Sequence, residues 1–171
     1  MSDDQKASAP GGTEGPPLLL EDHFCFTLYA ASRAVTSAYR PLLDELGLTY
    51  PQYLAMVVLW QHGTATVKDL VAALQLDYGT VTPLIKRLET NGLLQRQRRA
   101  DDERVVEVAL TPQGDALSRR IRTVPLAIGD AMGLTTEEFA TAQDLLRRLT
   151  ANVTHHIDTM SGAIASRQAG A

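Results

Sequence analysis

Cysteine is almost absent from this chain: one residue, Cys25, in 171. A lone thiol forms no internal disulfide, which excludes a disulfide-built secreted scaffold. Long apolar runs are absent too. The longest, residues 54–60, falls far short of the roughly 18 residues that span a membrane. The opening text MSDDQKASAPGGTEGPP lacks the basic segment followed by an apolar one that marks a secretory signal. Together these absences predict a protein of the reducing cytoplasm, with no membrane contact. Basic excess is missing as well. Sixteen Lys and Arg stand against twenty Asp and Glu, a net charge of −4, so overall basicity does not mark a nucleic-acid binder.

What is present is a globular composition, 44% hydrophobic, at a length suited to one domain with extended arms. Residues 1–17 are rich in Gly, Pro, Ser and acid and predict a disordered tail. Residues 18–165 predict a single, mainly helical domain, and 166–171 a flexible end. Leu28, Ala31, Val35 and Leu42 recur at helical spacing over residues 18–46. Pro41 predicts a kink or break there. Thr49-Tyr50-Pro51 opens a second helix. Residues 64–66 read as extended and 67–74 as a short helix. Asp77 reads as the cap of a helix over residues 79–90. Two short β-like runs, 93–97 and 105–110, flank the tip RRADDER. A helix from Thr111-Pro112 and a last one over residues 135–165, parted near Gly129 to Gly133, complete the reading.

Charge is uneven along this order. Lys86, Arg87, Arg96, Arg98, Arg99, Arg104, Arg119, Arg120 and Arg122 crowd one stretch, and local field outweighs total charge where one face meets phosphate. Helix, turn, helix and charged hairpin is the winged-helix arrangement. Asp77, Gly79, Thr80, Thr82, Pro83, Lys86 and Arg87 form the polar face of its second helix. Small residues there let a backbone approach a groove, and hydroxyls and cations bond phosphates or base edges. Val81, Leu84, Ile85 and Leu88 form the opposite, buried stripe. At the hairpin tip, Arg104 suits a narrow minor groove, with Asp102 near enough to orient it.

The wing text DDERVVEVALTPQG, preceded by LIKRLETNGLL, resembles the MarR family of bacterial winged-helix regulators. FCFTLYAASRAVTSAYRPLL, LGLTYPQYLAMVVLW and LDYGTVTPLIKRLE resemble, within that family, the organic-hydroperoxide-sensing repressors called OhrR. The resemblance covers about residues 20–150. It implies a mainly α fold with a small β wing: a DNA-binding lobe over about residues 50–110, and helical dimerisation segments over about 18–48 and 111–165. It implies a homodimeric repressor on a palindromic double-stranded DNA operator, with no cofactor and no enzymatic turnover. Carried over, Cys25 is the peroxide-sensing thiol and Tyr39 and Tyr50 its hydrogen-bonding partners. Gly79, Thr80, Pro83, Lys86 and Arg87 fall on the recognition helix, Asp102 and Arg104 on the wing. The departure is the missing second cysteine. The chain resembles the one-cysteine type, in which a low-molecular-weight thiol completes the switch after an organic hydroperoxide has oxidised the sulfur.

The residues around Cys25 suit that chemistry. The reacting species is the thiolate, and the opening turns of a helix favour an anion through the macrodipole. Phenols donate to the same anion. Phe24, Phe26, Leu28 and Tyr29 supply an apolar wall. Tyr39 stands 14 positions after Cys25, about 21 Å along one continuous helix at 1.5 Å per residue. A phenol from a second subunit, or a chain that folds back, is therefore required. Three rival readings remain. The first is a repressor answering a small apolar or phenolic ligand without redox chemistry. The second is a cysteine peroxidase, which no suitably spaced histidine and no resolving cysteine support. The third is a metal sensor through His155 and His156, which are adjacent and so point about 100° apart on a helix.

Overall fold

The computed structural model describes residues 19–98 and 106–169, with backbone alone from residue 162 onward. The expected tail 1–17 and the wing tip carrying Asp102 and Arg104 lie outside the described residues. Leu20–Asp22 forms a short 3-10 turn, followed by helix α1, Phe24–Asp44. The helix therefore starts later than the apolar periodicity suggested. His23 is the reason: its carbonyl accepts from the Thr27 amide at 3.1 Å, and its ring bonds the Leu19 carbonyl at 2.8 Å, closing the entry turn. Pro41 does not break α1, which runs on to Asp44. Proline has no N–H for the carbonyl four residues back. That carbonyl is Ser37's, and the chain divides into two compact units between Ser37 and Ala38.

The second unit holds the remaining elements: α2 (Tyr50–His62), β1 (Thr64–Thr66), α3 (Val67–Leu74), α4 (Tyr78–Thr90), β2 (Leu94–Arg98), β3 (Val106–Leu110), α5 (Pro112–Ile121), α6 (Val124–Met132) and α7 (Thr136–Ala169). Local sequence sets most of these bounds. The Thr49 amide donates to the Gln52 side chain at 2.8 Å, and Pro51 fills the first turn of α2. Thr66 and Asp69 cap α3 reciprocally. Thr135 and Glu138 do the same before α7. Gly133, at φ 64°, ends α6 where the glycines predicted a break. A further break at Arg122–Thr123 separates α5 from α6, and no glycine announces it. Pro125 in the first turn of α6 was the available signal.

The strands form one antiparallel sheet in the order β1-β3-β2. Ala65 pairs with Val108, and Arg96 with Val108 from the other side. Val108 is fully buried, so the sheet's inner face closes on the helices. Leu43, Met56, Leu59, Leu70, Val81, Ile85, Leu88 and Leu94 complete this core. All four residues of the expected α4 stripe are buried, which leaves the polar face of α4 outward. Mainly helical with a small β wing, the architecture is the winged helix-turn-helix expected. No helix among the described residues is long and apolar enough to cross a membrane.

Candidate functional site

Two groups of residues stand out, one on α4 and one around the thiol and the tyrosines. On α4, Asp77 takes the cap position with extended backbone. The Thr80 amide donates to Asp77 Oδ1 at 2.8 Å, and the Thr80 hydroxyl to Oδ2 at 3.0 Å. These bonds hold the Asp77 carboxyl below its ordinary pKa, the Thr80 amide contributing most. Asp77 and the Thr80 hydroxyl thus serve the helix start, whatever else they meet. A Cβ on Gly79 would come within 3.0 Å of that same carboxylate oxygen, so glycine keeps the cap uncrowded. Gly79, Thr80, Thr82, Pro83, Lys86 and Arg87 are all exposed. The face is small at its centre and cationic toward the C-terminal half, as a surface approaching a phosphate backbone requires.

Sequence reasoning missed part of this face. Tyr78, the first residue of α4, is 54% exposed. Composition gave no hint of it beyond a bulky ring amid small residues. Arg96, counted among the basic residues, forms an ion pair with Glu89 at 3.1 Å. Its charge is partly spent within the lobe.

The thiol lies in the first unit. Cys25 is exposed and free. With His23 at the cap position, it is the second residue of α1. Phe24, Phe26, Leu28 and Tyr29 beside it are also exposed. Arg33 donates to the Tyr29 hydroxyl at 3.0 Å and lies 5.6 Å from the ring centre, fixing that ring against its own helix.

In the second unit, the rings of Tyr39 and Tyr50 lie with their centres 4.7 Å apart. A third ring joins them: Tyr53 lies 5.6 Å from Tyr39 and 6.2 Å from Tyr50. The i, i+3 spacing of Tyr50 and Tyr53 on α2 was the sequence signal for it. Burial raises the pKa of all three, and neighbouring phenols add to the effect on Tyr39 and Tyr53. All three therefore remain neutral O–H donors at physiological pH, able to donate to an anion rather than repel one.

Comparison with known proteins agrees with the winged-helix fold. The MarR family profile matches residues 48–106, from just before α2 to the first residue of β3. The organic hydroperoxide resistance transcriptional regulator of Bacillus subtilis (strain 168) is 48% identical over 118 residues, covering 69% of this chain and 78% of the relative. The chain belongs to the MarR family. As a MarR regulator it is a DNA-binding transcriptional regulator and not an enzyme. Among solved structures, reduced AbfR of Staphylococcus epidermidis bound to DNA superposes with a TM-score of 0.68 at 31% identity, over 81% of this chain and 94% of that one. AbfR is also known with a disulfide formed, at a TM-score of 0.56 over 81% and 92%. Bordetella bronchiseptica BpsR, whose DNA binding is regulated by 6-hydroxynicotinic acid, gives 0.73 at 26% identity over 79% and 98%.

Proposed function

We propose that this MarR regulator is a homodimeric, cytoplasmic repressor whose hold on a palindromic operator is governed by oxidation of Cys25. The observation that carries the reading is an exposed sole cysteine in the opening turn of α1. It stands in a chain 48% identical to a relative named for organic hydroperoxide resistance. The neutral phenols of Tyr39 and Tyr50 are the donors that would steady the reacting sulfur. In this reading they come from a second copy, whose approach would also close the wall of Phe24, Phe26, Leu28 and Tyr29. Gly79, Thr80, Thr82, Pro83, Lys86 and Arg87 meet the major groove, and Asp102 and Arg104 serve the wing in the minor groove.

The Cys25 thiolate attacks the terminal oxygen of an organic hydroperoxide. An S–O bond forms, the O–O bond breaks, and the departing alkoxide takes a proton to leave as the alcohol. Sulfur is oxidised by two electrons to a sulfenic acid. A low-molecular-weight thiol then attacks that sulfur, an S–S bond forms, and water departs. The mixed disulfide changes the spacing of the two lobes, so that half-sites about 34–36 Å apart are no longer matched.

The test is a gel shift with cumene hydroperoxide and a small thiol, before and after reductant, on wild type and Cys25→Ser, with intact mass in parallel. Wild type should release DNA as its mass rises by one thiol adduct, and reductant should restore both. Cys25→Ser should stay bound. The likeness to BpsR favours a second reading, release by a small ligand, apolar or phenolic, without redox chemistry. A Cys25→Ser protein that still releases DNA to such a ligand, with wild type deaf to peroxide, decides for it.

A further inference from the structure

Tyr78 opens α4 directly after the Asp77 cap and is 54% exposed. No side-chain hydrogen bond or ring contact holds it among the described residues. A solvated tyrosine ring in a lobe that buries Val81, Leu84, Ile85 and Leu88 fully or nearly so is out of keeping with its surroundings. At helical spacing Tyr78, Thr82 and Lys86 form one ridge, beside the small residues Gly79 and Pro83. The N-terminal residues of a recognition helix are those that reach base edges in the major groove. Asp77 is engaged by Thr80 through both carboxylate oxygens. Lys86, two turns on, has a charge suited to phosphate rather than to one base.

We infer that Tyr78 is a specificity-determining residue that reads a thymine in each half-site, its ring lying against the C5 methyl group. Apolar contact with that methyl is the way an uncharged side chain distinguishes thymine from the other bases in the major groove. The ring carries the reading and the hydroxyl is dispensable. The inference rests on the DNA binding of the family and is independent of any role for Cys25.

The experiment begins by enriching duplexes from a random library with reduced wild-type protein, and repeating the selection with Tyr78→Phe and Tyr78→Ala. Wild type and Tyr78→Phe should enrich the same motif. Tyr78→Ala should lose the preference for thymine at one position per half-site and keep the rest. On the wild-type motif, uracil in place of that thymine should weaken wild type by about tenfold and leave Tyr78→Ala unchanged. Far-UV circular dichroism shows that each variant is folded. Identical motifs from wild type and Tyr78→Ala overturn the inference. So does a loss with Tyr78→Phe equal to that with alanine, which would give the contact to the hydroxyl. Failure of wild type to enrich any duplex would instead remove the DNA reading itself.

Discussion

Gly114 shows how much one residue holds here. Its carbonyl accepts from the Trp60 indole at 3.0 Å, and its amide donates to the Thr111 hydroxyl oxygen at 3.1 Å. Thr111 in turn donates to the Gly92 carbonyl at 2.6 Å, and its amide to the Leu93 carbonyl at 3.1 Å. Three elements meet at this point: α2, the start of β2 and the first turn of α5. A Cβ on Gly114 would collide with the Leu93 carbonyl oxygen, which is backbone and has no rotamer to yield. Gly114→Ala should therefore destabilise the lobe by about 1–3 kcal/mol, the usual cost of overpacking. Trp60 is the sole tryptophan, so its fluorescence in a urea titration follows the change directly. An unaltered midpoint would mean the α5 entry shifts freely. The sequence marks a helix start at Thr111-Pro112 but not this contact, because a close approach between segments distant in sequence leaves no local pattern. Tyr53 is a similar case: it is buried, and its part in a three-ring cluster depends on α1 bringing Tyr39 alongside.

Among the elements, α4 was the most legible. Its stripe of Val81, Leu84, Ile85 and Leu88 has helical period, and a capping aspartate precedes it, so local and tertiary preferences agree. β1 and the start of α3 were legible too, marked by Gly63 and by the Thr66 cap, whereas α3 ends on Gln75 in left-handed backbone. The start of α1 was not. Apolar periodicity extends back to Leu20, yet a 3-10 turn interrupts it at residues chosen by His23 backbone geometry. The cap of α4 carries a prediction of its own. Asp77 has its folded pKa below its unfolded one because hydrogen bonds from Thr80 favour the carboxylate. Its support for α4 is thus whole above the ordinary carboxylate range and fades as pH falls through and below that range. Asp77→Asn keeps an acceptor at the cap and should bind DNA near neutrality much like wild type. Asp77→Ala should lower thermal stability, and its deficit relative to wild type should shrink on acidification. A deficit constant from pH 7 to pH 3 would show that the carboxylate's charge plays no part.

At the scale of the whole molecule, the outstanding fact is how little of α7 is covered. Leu146, Val153, Ile157 and Met160 are each about half exposed, at 46, 50, 56 and 52%. Their steps of seven, four and three put them on one side of a helix. Such a stripe suits a partner, and in the proposed dimer the second copy would both cover it and bring phenols to Cys25. The sequence could mark α7 as a helix but not its environment, since a stripe facing a core and one facing another subunit have the same period. Placing charge on the stripe separates the two. Val153→Glu combined with Ile157→Glu should convert a dimer into a folded monomer in multi-angle light scattering. Wild type should melt at a temperature that rises with protein concentration, and the double variant should lose that dependence. Each monomer then grips one half-site alone, and affinity for a two-half-site duplex should fall by about 100-fold or more as the linked second contact disappears. Affinity for a single half-site should hardly change, because α4 and its cap are untouched. A double variant that stays dimeric would move the seam away from α7, and with it the sharing of tyrosines between subunits on which the proposed thiol chemistry relies.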